Sequence, residues 1–373
     1  MISGFEDFQL RTARSSHDTA RKPSPQRSPM IPIISADALD FWLQRLNPAL
    51  SVSRTLARLV ARTVVAHDTI QLTFAPNRAF RGARPGQHIN LTAEVDGRQV
   101  TRCYSVTSLP QRGRRFDLVV KRLAHGRMSS FLTQRLRIGE AVQIGQAFGE
   151  MQAELADPTP RLLLAGGVGI TPLLAQIRES AGAGFAAPTT LLYWAKRRAD
   201  LCFAAELEAL QRQFPNFSVR FLLTQSEQPQ PRISEGLLRE QLPDLASRSV
   251  FACGPGGFVR EAGLAVASQA LRFQSESFEP LRAAAEEGGE VIVRLLKRGI
   301  EIPVQRGRTL LEALEGQGVA LRSGCRMGIC NTCACPSLGG RTRDLRSQAI
   351  SSGEPASVRL CVSAAVTDLT LDL

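Results

Sequence analysis

Four cysteines near the end of this 373-residue chain constrain it more than any other feature. Cys325, Cys330 and Cys333 follow the spacing C-x4-C-x2-C, and Cys361 comes after a further 27 residues. Three thiolates on one tight loop, with a fourth brought from a distance, can wrap a compact cluster, and this spacing suits a 2Fe–2S centre. Ser323, Gly324 and Gly328 are small enough to let backbone N–H groups approach the sulfides and stabilise their negative charge. A four-cysteine zinc site is the alternative, but zinc sites usually pair two short C-x2-C knuckles, and none of the four histidines falls near this loop. Cys335 reads as a buried non-ligand.

A chain of this length exceeds what one hydrophobic core usually supports, so two or three domains are expected. The longest uncharged stretches, Leu162 to Ile177 and Ser180 to Ala195, hold 16 residues each and are broken by glycines and a proline. They are too short and too punctuated to span a membrane. The N-terminus MISGFEDFQLRTARSS lacks the apolar core of a secretory signal. The expectation is a cytoplasmic protein, not an integral membrane protein, with peripheral contact at the inner membrane face left open. Net charge is +12, and residues 51–158 alone carry 16 Lys+Arg against 8 Asp+Glu. That excess suits an anionic lipid, an acidic protein partner or a phosphate-rich cofactor, or is a solvated surface. No RNA- or DNA-binding motif accompanies it, so no nucleic-acid partner is expected.

The texture of the chain changes along its length. Residues 1–30 mix Ser, Pro, Arg and Lys without hydrophobic periodicity and read as a mobile basic leader. Leu39, Trp42, Leu43 and Leu46 then fall at helical spacing, with Asn47-Pro48 as the stop. This amphipathic helix is expected to pack against a domain, lipid or partner docking being the alternative. From 51 to 158, short alternating runs separated by turn residues read as a small antiparallel β-barrel. From 159 to 283, apolar runs alternating with helical stretches read as an α/β doubly wound domain. The LRAAAEEGGE segment looks like a linker. From 284 to 373, a hairpin, a helix, the Cys-rich loop and a closing strand suggest a third, α+β domain.

Two further constellations carry chemistry. Arg102, Cys103, Tyr104 and Ser105 lie in a barrel strand, followed by Gly126, Arg127, Met128, Ser129 and Ser130 at a helix start. Together they describe a flavin site: a tyrosine to stack on the ring, a serine to hydrogen-bond it, an arginine for phosphate, and free N–H groups with hydroxyls at the helix start. Tyr104 as a core aromatic and Gly126 as a plain turn remain the alternative. The strand RLLLA runs into Gly167, Gly169, Thr171 and Pro172, where glycines admit a phosphate, Thr171 can cap and Pro172 fits a first helical turn. It departs from the G-x-G-x-x-G fingerprint in lacking the third glycine. A second loop, Cys253-Gly254-Pro255-Gly256-Gly257-Phe258, follows a later strand, and two such loops are where a nucleotide lies in a doubly wound fold. Lys196, Arg197 and Arg198 follow the strand LLYW, where they would hold the 2'-phosphate of NADPH rather than NADH, or form a solvated basic turn. His17, His67, His88 and His125 form no constellation, so no general acid, base or nucleophile is singled out.

These signals, in this order, resemble the ferredoxin–NADP reductase superfamily, in the branch that carries a plant-type ferredoxin domain of β-grasp fold at its C-terminus. The resemblance covers residues 51–373. It implies that Arg102 to Ser105 bind flavin, that Gly126 to Ser129 cradle the pyrophosphate of FAD, and that Gly167, Gly169, Thr171 and Pro172 form the nicotinamide-nucleotide loop. It further implies Cys253 beside the nicotinamide and, from Glu276-Ser277-Phe278, an aromatic over the flavin. Asn331 stands where such cluster loops often have glycine. Within the branch, FWLQRLNPALS and GCRMGIC resemble the reductase partners of bacterial membrane fatty-acid (acyl-CoA) desaturases. Reductases of aromatic-ring oxygenases and demethylases share the module order, but several use FMN, which needs no pyrophosphate turn. The resemblance implies an NAD(P)H-dependent oxidoreductase that passes a hydride to FAD and single electrons through the cluster to an acceptor protein. A redox-sensing regulatory protein is the alternative of another class, and a zinc-bearing interaction module on a flavin reductase is a third.

Overall fold

The computed structural model describes residues 36–373 except 47–48, 109–114, 153, 268, 279–288 and 347. The basic leader and most of the expected linker therefore lie outside the described residues, as does the Asn47-Pro48 stop.

The amphipathic helix forms as α1 (Ala36–Leu46). Asp40 anchors it by accepting hydrogen bonds from Ser51 Oγ, Ser53 Oγ and the Val52 N–H, each at 2.6 Å. The expected packing of its apolar face does not follow. Leu39, Phe41, Trp42 and Leu46 are all exposed, and the Arg45 guanidinium lies over the Phe41 and Trp42 rings. Helical periodicity creates an apolar stripe but does not supply a surface to cover it.

Six antiparallel strands follow: β1 (Leu56–Ala66), β2 (Thr69–Pro76), β3 (His88–Val95), β4 (Arg98–Ser105), β5 (Phe116–Lys121) and β6 (Ala141–Ile144). Their order in the sheet is β4-β3-β6-β1-β2-β5. A bridge between Val106 and Leu118 brings the two edges together, which closes the sheet into a barrel. Alternate residues point inward, so Leu59, Leu72, Phe74, Ile89, Leu91 and Phe116 fill one core. Between β5 and β6 a short helix, α2 (Arg127–Ser130), continues into a wider π turn over Phe131–Arg135.

The next sheet is parallel, with strands β7 (Arg161–Gly166), β8 (Thr189–Ala195), β9 (Phe217–Leu223), β10 (Ser249–Gly254) and β11 (Arg272–Ser277) in the order β11-β10-β7-β8-β9. The helices α3 (Ile170–Gly182), α4 (Ala204–Gln213), α5 (Glu235–Gln241) and α6 (Gly256–Val266) cover both faces. Strand alternation shows this directly. Leu163 and Ala165 enter one core with α3 residues, while Leu162 and Leu164 enter another with α5 and α6 residues. Strand order reverses between β7 and β10, so a crevice opens at their carboxyl ends.

The last sheet is mixed, β13-β12-β18-β14-β16, built from β12 (Glu290–Leu295), β13 (Ile300–Gln305), β14 (Ala334–Gly339), β16 (Ala356–Arg359) and β18 (Leu369–Leu371). A small second sheet pairs β15 (Thr342–Asp344) with β17 (Ser363–Ala365). The helix α7 (Leu310–Gly316), capped by Thr309, buries Leu310, Leu311 and Leu314 against the mixed sheet. The hairpin, helix and closing strand form as expected, giving an α+β, β-grasp arrangement. No helix among the described residues is long and apolar enough to cross a membrane.

Candidate functional site

The cysteine loop runs between α7 and β14. Its thiols converge: the Cys325 N–H donates to Cys330 Sγ at 3.2 Å, and the Met327 and Cys330 N–H groups donate to Cys325 Sγ at 3.3 and 3.4 Å. The neighbouring Cys330 and Cys361 side chains pull the Cys325 thiol down to about 2, and Cys361 pulls Cys333 down to about 7. Cys330 and Cys361 are pushed up in the same crowd, by the hydrogen bond to Cys325 above all, so these two keep their protons. A bound cationic cluster would favour the thiolate form of all four. Backbone shape fits a cradle as well. A Cβ on Gly324 would lie 2.8 Å from Cys330 Sγ, and Gly328, at φ +73°, would press one 2.8 Å from the Val362 side chain. Asn331 adopts φ +54°, the left-handed region that glycine favours and asparagine tolerates, so its presence leaves the loop intact. Arg326, at φ +59°, is held by a 2.7 Å ion pair to Glu315, and Arg359 Nη1 donates to the Gly328 carbonyl at 2.7 Å. Cys335 is buried in the sheet core opposite Val358, where burial pushes its thiol up to about 11.

On the barrel, β4 pairs with β3 so that Ser105 faces His88, Cys103 faces Asn90 and Arg102 faces Leu91. Arg102 Nη1 donates to its neighbour's carbonyl, Thr101 O, at 2.8 Å. Tyr104 is half-buried against the barrel core, and burial pushes its phenol up. In the α2 turn, Ser129 Oγ donates to the Gly126 carbonyl at 3.0 Å and accepts from the Leu123 N–H at 3.2 Å. A Cβ on Gly126 would meet Ser129 Oγ at 2.3 Å, so the turn demands glycine. Met128 points into the barrel core. Beside the turn, Asp68, Arg122, Leu123, Ala124, Ser130 and Gln134 line a cleft of about 320 Å³.

The two glycine loops meet at the carboxyl ends of β7 and β10. Gly167 has φ +56°, and a Cβ on Gly169 would lie 2.0 Å from the Cys253 carbonyl oxygen. Gly254 and Gly166 both lie against Phe258. Thr171 does not cap α3. It sits inside the first turn, donates to the Val168 carbonyl at 2.9 Å and lies 3.3 Å from Ser105 Oγ, so the nucleotide loop touches the flavin strand. Pro172 lies in that same first turn. After β8, the three cations are not all free. Arg197 pairs with Asp200 at 3.7 Å and Arg198 with Glu208 at 2.8 Å, which leaves Lys196 as the cation of the three with no carboxylate partner among the described residues. Surface pairs of this kind are weak enough to exchange for a phosphate.

Sequence reasoning passed over one pair. His88, fully buried, has Nε2 3.0 Å from Glu276 Oε2, and it lies edge-on to Phe278 at 6.4 Å between ring centroids. The separation is that of an ion pair, but the groups are misaligned, so Glu276 Oε2 and both imidazole nitrogens are buried with no hydrogen bond. These orphaned polar atoms lie at the seam where the barrel, the nucleotide loops and Phe278 meet, as a site for a polar planar group would require. Only the shared seam of two sheets reveals the pair; nothing near His88 in sequence signals it.

Comparison with known proteins accords with this geometry. An oxidoreductase FAD-binding domain family matches residues 56–152, an oxidoreductase NAD-binding domain family 163–263, and a 2Fe-2S iron-sulfur cluster binding domain family 293–366. An NADPH oxidoreductase of Mycobacterium tuberculosis (strain ATCC 25618 / H37Rv) is 31% identical over 90% of this chain and 88% of its own. A glycine betaine monooxygenase reductase subunit of Chromohalobacter salexigens is 26% identical over 69% of this chain and 77% of its own. In fold, the chain is similar to phthalate dioxygenase reductase, with a TM-score of 0.59 and 21% identity over 86% of this chain and 98% of that one. FAD, NAD(P)H and a 2Fe–2S cluster are therefore its cofactors, and it is an NAD(P)H-dependent oxidoreductase. The converging thiols, the two touching glycine loops and the relation to the mycobacterial enzyme lead to one conclusion: this chain belongs to the ferredoxin–NADP reductase family of flavoproteins, among those with a C-terminal 2Fe–2S ferredoxin domain.

Proposed function

We propose that this chain is the reductase half of a two-protein system and delivers electrons singly to a separate membrane fatty-acid desaturase. The observation that carries the reading is a series of contacts: nucleotide loop to flavin strand at Thr171 and Ser105, and flavin barrel to cluster loop at Asn90 and Thr332. When bound, FAD accepts a hydride as an electron pair and releases electrons one at a time, and the cluster relays them.

In this reading the domains span 51–158, 159–283 and 284–373. Arg102, in no ion pair among the described residues, holds a flavin phosphate, Tyr104 and Ser105 contact the ring, and Gly126 to Ser130 receive the pyrophosphate. Gly167, Gly169, Thr171, Pro172, Gly254 and Pro255 hold the nucleotide, Cys253 lies beside the nicotinamide, and Phe278 covers the flavin. Cys325, Cys330, Cys333 and Cys361 ligate the cluster. Lys196, with Arg197 and Arg198 released from their surface carboxylates, takes a 2'-phosphate, and the mycobacterial relative's name agrees with a preference for NADPH.

The desaturase partner rests on FWLQRLNPALS and GCRMGIC, on the exposed Phe41, Trp42 and Leu46 beside Arg45, and on the basic excess of residues 51–158. A second reading, the reductase component of an oxygenase, is favoured by the relatives named as oxygenase reductase subunits. The test follows NADPH-driven reduction of desaturase-containing membranes and of ferricyanide across ionic strength, around and above the level where the Debye length is about 8 Å. Membrane delivery should fall with salt and with removal of residues 1–50, while ferricyanide reduction persists. Equal responses of both acceptors, with no effect of truncation, would remove the desaturase reading and leave the oxygenase one.

A further inference from the structure

Strands β3 and β4 set Asn90 directly across from Cys103, on the flank of the barrel that meets the cluster loop. Asn90 Nδ2 donates to Thr332 Oγ1 of that loop at 3.4 Å. The bond is long, but the contact around it is tight: a Cβ on Gly324 would lie 3.0 Å from Asn90 Nδ2, 2.9 Å from Thr332 Oγ1 and 2.8 Å from Cys330 Sγ. Gly324 is therefore a slot with no room to spare, bounded on one side by a cluster-loop thiol and on the other by the Asn90 amide. Asn90 Oδ1 is buried and unpartnered, so the amide is held by position and not by a network of its own.

We propose that Asn90 is the positioning residue that seats the cluster loop on the flavin barrel, through Thr332 and the Gly324 slot, and thereby sets the rate of electron transfer from flavin to cluster. The proposal deepens the reading above and rests on it. When bound, FAD would take the hydride as an electron pair with its proton and give up single electrons, releasing that proton to solvent, and the cluster would relay the electrons to the external acceptor, so the seat would be used twice per NADPH. A step of this kind depends on how often the loop is seated, whereas hydride delivery from the nucleotide side does not.

The experiment uses the full holoprotein and stopped-flow absorbance, which separates flavin bleaching from cluster bleaching after mixing with NADPH, together with hydrogen–deuterium exchange over residues 323–333. Asn90→Ala should leave iron, sulfide and flavin content, the flavin-bleaching rate and ferricyanide reduction unchanged. Cluster bleaching should slow by roughly three- to tenfold, the range that loss of one hydrogen bond implies. Exchange over 323–333 should rise. Thr332→Val perturbs the neighbouring Cys330 as well, so its effect is read in a cycle: Thr332→Val should slow cluster bleaching less in the Asn90→Ala background than alone, and Thr332→Ser should restore it. Wild-type cluster bleaching and exchange in a fully loaded Asn90→Ala protein would overturn the proposal. Absence of iron and sulfide from the wild-type protein would instead overturn the reading beneath it.

Discussion

His88 on β3 and Glu276 on β11 meet at 3.0 Å across the boundary between barrel and parallel sheet, with the imidazole fully buried and the carboxylate 8% exposed. Two other buried contacts bind the same boundary: Thr171 with Ser105, and Gln176 Nε2 donating to the Met151 carbonyl at 3.0 Å. Arg178 adds a third, donating to the Thr107 carbonyl at 2.8 Å while paired with Glu206.

Removing the imidazole leaves the buried Glu276 carboxyl without its 3.0 Å neighbour, and losing a buried polar partner typically costs about 1–3 kcal/mol. We expect His88→Ala to destabilise the protein by about 2 kcal/mol and Glu276→Gln, in that background, to recover part of the loss. Urea unfolding of the four proteins gives the coupling. Strictly additive losses would mean that the two side chains are neighbours without an interaction.

Ligation of the cluster predicts a sharp contrast between cysteines. Cys361→Ser should strip or cripple the cluster while flavin remains bound, because the cluster loop and the flavin strands belong to separate cores. Cys335→Ser, in the sheet core and away from the converging thiols, should do neither. Iron, sulfide and flavin counts on the purified variants decide it, and loss of the cluster in Cys335→Ser but not in Cys333→Ser would reverse the assignment.

Flavin affinity should depend on Arg102. A charge-assisted bond to phosphate is worth about 1.5–3 kcal/mol, so Arg102→Ala should weaken flavin binding by roughly ten- to a hundredfold in an equilibrium titration. The flavin released from the wild-type protein should be FAD, and recovery of FMN alone would remove the role given to Gly126 and Ser129.

The anchor of α1 should be acid-labile. Ser51 and Ser53 donate to Asp40 and hold its carboxyl near 2, below the 3.8 of an unfolded chain. A depressed folded pKa means that the contribution to stability is complete above about pH 4 and is lost as pH falls toward 2. Trp42 lies on this helix, so its fluorescence should change across that window. The Asp40→Asn protein should lose this acid transition, and an identical transition in both proteins would assign it elsewhere.

Short windows of sequence already determined much of this protein. The cysteine spacing, the glycine loops after RLLLA and SVFA, and the alternation of apolar residues are local properties, because ligand loops, tight turns and strand faces are set by neighbours in the chain. What only the tertiary structure decided is which of these pieces touch. No local pattern brings His88 to Glu276, Asn90 to Thr332, or Ser105 to Thr171, because each pair depends on strand register and on how one folded unit packs against the next. The same limit explains the surface. Lys196 to Arg198 read as three cations until the fold brings Asp200 and Glu208 beside two of them, and the apolar stripe of α1 reads as a packing face although the fold leaves it exposed. Periodicity fixes where a side chain points, and only the arrangement of the other elements fixes what it meets.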